Sequence, residues 1–271
     1  MNWPVRRQTA GFTLVELLIG MALMGIVMMA LLAFFTQGTR ISAQSSSRAD
    51  MQQEVLNAQQ LIAGKLKGAW YVYPPLASST DVWSLTGTNL TKNPVSNNNT
   101  WKTAVAITPN QPLLAMILPP DTVGGVYSFI AYYPVKRSDW IGGVTAGSSK
   151  DPGVDASNAN TWVLAEYRAT MPTGFSDVYP PAVPPPMPTG SQSNILSDYV
   201  APTIVTAGFT TAASTYTMFT YTLDSMGTVR GVTLNLATTR QTSGTTLRLP
   251  NATDEYTISV FPTNLGKVAV N

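Results

Sequence analysis

Neither cysteine nor histidine occurs among the 271 residues. The first absence removes disulfides and thiolate metal ligation, and the two together remove Ser-His-Asp and Cys-His catalytic arrangements and every His-containing zinc site. Charge is scarce as well: Asp, Glu, Lys and Arg make up 11% of the chain, against a usual quarter or so. Arg6 and Arg7 are the two basic residues of the first eleven, which hold no acid, so 16 − 2 = 14 bases face 14 acids in the remainder. A neutral remainder argues against a polyanion binder acting through the whole surface. No phosphate-binding loop and no Ser-x-x-Lys occurs, and the Asp254-Glu255 pair sits in a turn-like stretch, so no catalytic residue and no enzyme activity is expected.

Hydrophobicity, by contrast, is concentrated. Residues Phe12–Phe35 form one apolar run broken by a single charge, Glu16, and preceded by Gly11. At about 1.5 Å per residue a helix of this length spans a bilayer core of about 30 Å. A carboxylate inside such a run costs a few kcal/mol or more and calls for a partner, water or a function. The basic segment before the run, set against Arg40, Arg48 and Asp50 beyond it, places the N-terminus in the cytoplasm and the bulk of the chain outside. A cleaved secretory signal would have a shorter apolar region and an A-x-A-like site, and the following GTRISAQSSS fits such a site poorly. A plain transmembrane anchor is the other simple reading.

Gly11-Phe12-Thr13-Leu14-Val15-Glu16, with the basic leader before it and the membrane-length run after it, resembles the prepilin motif of type IV pilins and type II secretion pseudopilins. The resemblance implies cleavage by prepilin peptidase between Gly11 and Phe12, N-methylation of Phe12, and an assembly ion pair between Glu16 and the Phe12 amine of a neighbouring subunit. Such a pair would turn a costly lone carboxylate into a register-setting contact in a low-dielectric core. Gly20 and Gly25 lie five apart and make no G-x-x-x-G motif, and Met21, Met24, Met28 and Met29 read as adaptable packing surface.

After the apolar run, Met51, Val55, Ala58, Ile62, Leu66 and Ala69 recur at three- and four-residue spacing, with Gln52, Gln53, Gln59, Lys65 and Lys67 largely elsewhere. The pattern predicts one helix of roughly 55–60 residues, about 85 Å long, ended by Trp70–Pro75 because a residue before proline avoids the helical region. The expected divisions are a leader at 1–11, a membrane or filament-core helix at 12–35, its amphipathic continuation at 36–69, and a β-rich head at 70–271.

Within the head, Ser78–Asn99 reads as loops with at most one short strand. Strands are expected at Thr103–Thr108, Leu113–Leu118, Val126–Tyr133 and Thr161–Thr170, with Asp139–Asn160 loop-like. Seven prolines between Met171 and Thr189 exclude an interior strand or helix across the Pro-rich loop 172–188. Ile195–Val200 suits a short helix or strand. Thr217–Leu223 and Val229–Ala237 form the clearest hairpin, turning at Asp224–Gly227, and Thr245–Leu249 and Glu255–Val260 are expected to extend its sheet. The expected fold class is α+β, a long N-terminal helix packed on an antiparallel β-sheet head. The head loosely resembles those of PilW-type minor pilins and J-type pseudopilins, although Phe261-Pro262-Thr263-Asn264 stands where such heads often close with Arg-Asn.

Two further clusters are candidate sites. Asp151, Asp155, Ser157 and Asn160 cluster in one loop as a weak calcium candidate, without EF-hand spacing. Lys136, Arg137, Arg230, Arg240, Arg248 and Lys267, interleaved with Tyr132, Tyr133 and Trp140, form a weak candidate grip for single-stranded DNA. The resulting expectation is a minor pilin without cofactors, held in the inner membrane and then assembled with other major and minor pilins into a pilus serving motility, adhesion or DNA uptake. A secretion pseudopilin whose filament stays in the periplasm, and a single-pass anchored binding or adhesion protein, are the alternatives.

Overall fold

The computed structural model describes residues 13–76, 82–85, 89–102, 111–122, 124–175, 178–189, 192–204 and 216–267. The long helix α1 spans Leu14–Lys67, 54 residues, and the strands and short helices follow from Tyr71 onward. These are β1 (Tyr71–Val72), β2 (Trp83–Ser84), β3 (Thr100–Trp101), β4 (Leu114–Leu118), β5 (Ser128–Lys136), α2 (Arg137–Gly143), β6 (Trp162–Thr170), β7 (Gln192–Val200), β8 (Phe219–Leu223), β9 (Val229–Leu236), β10 (Thr238–Thr242), β11 (Thr245–Leu249) and β12 (Tyr256–Val260). The molecule is α+β, as expected, and divides into two compact units, Met1–Ser46 and Ser47–Asn271.

In the second unit the principal sheet has seven strands in the order β1-β4-β5-β6-β7-β10-β11, and a second sheet runs β12-β9-β8. The α1 stripe works as its spacing demands: Met51, Val55, Ala58, Ile62, Leu66 and the following Ala69 are at most 2% exposed. Val55, Ala58, Ile62 and Leu66 share a core with Leu114, Met116, Ile130, Tyr132 and Leu164 of the seven-stranded sheet and with Val232, Leu234 and Leu236 of the three-stranded one. The alternate residues Ala115, Ile117, Phe129, Ala131, Tyr133, Val163 and Ala165 form a second core on the opposite face with Trp70, Trp101 and Trp140. Burial on both faces explains why β4, β5 and β6 read as near-continuous apolar runs, since no face is left to be polar.

Several boundaries differ from expectation, each for a local reason. Asp139–Asn160 is not wholly loop: α2 runs on to Gly143 and Ala156–Asn158 forms a 3-10 turn, and Trp140 is fully buried with its Nε1 donating to the Lys150 carbonyl at 2.9 Å. The stretch after α1 does more than end the helix, since Trp70 N donates to the Ile117 carbonyl at 2.8 Å and Tyr73 N to the Ala115 carbonyl at 3.0 Å, flanking β1. Thr238–Thr242 is a strand without apolar residues. It takes β11 into the large sheet, so Thr245–Leu249 does not extend the β8–β9 hairpin, whereas β12 does. Ile195–Val200 resolves as strand, within β7. The predicted strand Thr103–Thr108 lies outside the described residues.

Gln59, placed on the polar side by its chemistry, is only 4% exposed. Its Nε2 donates to the Tyr256 carbonyl at 2.6 Å and the Leu234 carbonyl at 3.4 Å, so a side-chain amide ties α1 to β9 and β12. Near the chain's end Gly266 has φ +69°, its N–H donates to the Trp70 carbonyl at 3.0 Å, and an added Cβ would lie 2.7 Å from ring carbons of Tyr179. The left-handed conformation alone costs a non-glycine residue about 1–2 kcal/mol. Gly266→Ala is therefore expected to lower the urea midpoint of the head measurably, while the same change at exposed Gly20, which meets nothing within 4 Å, leaves it unmoved.

Candidate functional site

In the first unit the described helix surface is exposed and largely apolar. Every residue from Thr13 to Ala43 is exposed, including Leu17, Leu18, Met24, Phe34 and Phe35. The helix is long and apolar enough to cross a membrane. An apolar surface of this extent requires lipid or other helices, because soluble proteins rarely leave contiguous apolar patches beyond a few hundred Å².

At the start of that helix Thr13 and Glu16 form a capping box. Thr13 N donates to Glu16 Oε2 at 2.9 Å, Thr13 Oγ1 donates to the same oxygen at 2.9 Å, and Glu16 N donates to Thr13 Oγ1 at 3.3 Å. Two donors that the first helical turn would otherwise leave open are thereby satisfied. The signal was present in Thr13-Leu14-Val15-Glu16 as the S/T-x-x-E pattern before an apolar run, and sequence reasoning passed over it. Among the described residues no hydrogen bond reaches Glu16 Oε1, so the capped carboxylate keeps one oxygen for a further donor.

A second concentration of polar groups lies inside the head, where α1, α2, β7 and β10 meet. Arg137 is completely buried, and its Nε donates to both carboxylate oxygens of Asp198 at 3.0 and 3.1 Å. Its Nη2 donates to the carbonyls of Pro152 and Gly153 at 3.1 and 2.9 Å. Asp198 N donates to Glu54 Oε1 at 2.6 Å, linking the pair to α1. Tyr199, held at φ +54°, lies under the guanidinium groups of Arg137 and Arg240 at 5.1 and 4.3 Å, and its hydroxyl donates to Asp155 Oδ2 at 3.1 Å. Burial raises the Asp198 carboxyl while Arg137 opposes the rise. Burial also pushes Glu54 up to about 7.

The residues singled out in the sequence fare differently. Gly11 and Phe12 lie outside the described residues. Asp151 accepts from Gly147 N at 2.7 Å and Gly153 N at 2.9 Å, which close its own turn and hold its carboxyl below the usual range. Asp155 accepts from Asn158 Nδ2 and from Tyr199. These carboxylates face donors, and among the described residues no three metal-binding carboxylates gather. The proposed DNA grip is dispersed: Tyr132, Tyr133, Trp140 and Arg137 are core, Arg248 bonds Glu255 at 3.2 Å, and Arg230 bonds Asp224 at 2.9 Å. A stacking platform needs exposed rings, and these three aromatics are fully buried because their strands and α2 pack against two cores.

No curated protein and no solved structure matches the chain. Residues 6–32 match the family model of the prokaryotic N-terminal methylation motif. That span contains the Thr13–Glu16 cap and most of the exposed apolar surface, and the motif supports a likeness to type IV pilins and pseudopilins.

Proposed function

We propose that the protein is a minor type IV pilin, cut between Gly11 and Phe12 by prepilin peptidase, N-methylated at Phe12, and assembled with other pilins through its N-terminal helix. The observation that carries this reading is the coincidence of the methylation motif at residues 6–32 with an apolar helix surface exposed from Thr13 to Ala43. Before assembly that surface rests in the inner membrane, with the N-terminus cytoplasmic; afterwards neighbouring helices cover it. The protein's part is structural, and no chemical step is assigned to it.

Glu16 is the assembly contact. Its Oε1, free of the capping box, accepts the charged α-amine that cleavage creates on Phe12 of an adjacent subunit, and the pair fixes axial register in a water-poor filament core. The long sheet-bearing head suits a subunit at or near the tip, or one that primes assembly.

Intact-mass and N-terminal peptide measurements on membrane and sheared-filament fractions test the reading. The expected species begins at methylated Phe12 and occurs in both fractions. Processed protein confined to the membrane and periplasm would indicate a secretion pseudopilin. A chain still starting at Met1 would indicate an anchored protein that does not polymerise.

A further inference from the structure

The polar seam between α1 and the head is built asymmetrically. Asp198 has its carboxylate occupied by Arg137 and by Tyr199 N, which donates to Oδ1 at 2.8 Å. Arg137 is thereby committed to Asp198 and to two loop carbonyls, and its buried Nη1 has no hydrogen-bond partner among the described residues. The other cation facing Glu54, Arg240, stacks on Tyr199 and reaches Ser47 Oγ at 3.4 Å, with a buried Nε that also lacks a hydrogen-bond partner among the described residues. Among the described residues Glu54 makes no ion pair, and its carboxylate accepts a hydrogen bond from the Asp198 N–H on β7. Asp50 on α1 and Asp198 on β7 add negative charge beside it.

We propose that this seam is a proton-operated clasp: protonated Glu54 holds the Ser47–Ala58 segment of α1 against β7 and β10, and loss of its proton loosens that segment without unfolding the sheet. Deprotonation adds a third carboxylate beside Asp50 and Asp198, where Arg137 is committed to Asp198 and Arg240, stacked on Tyr199, only partly offsets the added charge. The cost falls on the α1 side, because Asp198 stays anchored by Arg137 whether or not Glu54 remains. Neighbouring polar contacts there are few, such as Ser47 Oγ to Thr242 Oγ1 at 3.4 Å, and the buried Met51, Val55 and Ala58 set the limit of the loosening. The apolar contacts of Ile62 and Leu66 in the deeper core, which carry no charge, keep the following turns in place.

The direction follows from linkage. Burial, with repulsion from Asp198 and Asp50, raises Glu54 from 4.5 to about 7 in the folded chain, against the opposing Asp198 N–H and Arg240. A carboxyl raised on folding binds its proton more tightly in the docked state. Docking is therefore strongest below about 4.5, weakens as pH rises through about 7, and is weakest above. With part of the group exposed to solvent, the change expected is about tenfold rather than the full amount.

Hydrogen exchange on the full-length protein in detergent micelles, with rates corrected for intrinsic pH dependence, tests the clasp. Protection of amides 47–58 is expected to fall about tenfold between pH 5 and pH 8.5, while amides of β5 and β6 stay unchanged. In Glu54→Gln, whose amide oxygen still accepts the Asp198 N–H, protection is expected to be high and independent of pH. A flat wild-type profile, or the same pH dependence in Glu54→Gln, would overturn the proposal. The wild-type profile decides the matter even where the variant folds poorly.

Discussion

Full-length protein carrying Glu16→Gln is expected to reach the membrane with a folded head and to be lost from sheared filaments. The substitution is chosen because Gln at the third helical position still completes a capping box, so the Thr13 hydrogen bonds survive and only the charge is removed. Thr13→Ala does the reverse: it removes the cap's side chain, at about 0.5–2 kcal/mol, and leaves the carboxylate. If the ion pair with the Phe12 amine carries assembly, quantitative immunoblots of sheared filaments will show Glu16→Gln near background and Thr13→Ala reduced only modestly. Normal incorporation of Glu16→Gln with loss of Thr13→Ala would assign Glu16 to helix capping and remove the ion pair from the account.

Asp198→Ala is expected to destabilise the head by about 3–5 kcal/mol, because it leaves the fully buried Arg137 guanidinium without its counter-charge. Against the total stability of an ordinary domain, about 5–15 kcal/mol, that is a large fraction. Replacing both partners by apolar residues of similar size, Arg137→Met with Asp198→Leu, is expected to recover most of the loss, since no unpaired buried charge remains. Urea titrations followed by tryptophan fluorescence measure both. Equal losses in the single and double variants would mean that the guanidinium's bonds to the Pro152 and Gly153 carbonyls, rather than the ion pair, hold this corner of the head.

What the sequence disclosed depended on how far apart the interacting residues lie. The Met51–Leu66 stripe was legible because a helix repeats its buried face every three or four residues, and the β8–β9 hairpin because its turn and alternation are local. The partition of β11 and β12 between two sheets was not, because it depends on β10, a polar strand whose partners are chosen by tertiary packing. Helix α2 escaped notice because Arg137–Gly143 is rich in residues that read as turn. The Glu54–Asp198–Arg137 seam joins positions 144 and 61 residues apart, and no periodicity reports such a meeting. At the N-terminus the motif was readable in full, yet the local role of Thr13 was overlooked beside the larger question posed by a carboxylate in an apolar run.

The way α1 enters the head also bears on force. A pull along the axis of the buried segment, Met51 to Leu66, does not peel its contacts one after another. Val55, Ala58, Ile62 and Leu66 would have to slide past both sheets together, while Gln59 breaks its bonds to the carbonyls of Tyr256 and Leu234. The stripe is thus loaded in shear over some 23 Å of helix, at about 1.5 Å per residue. Resistance to axial tension is distributed along it, whereas a sideways tug at Ser47 meets only the end of the seam.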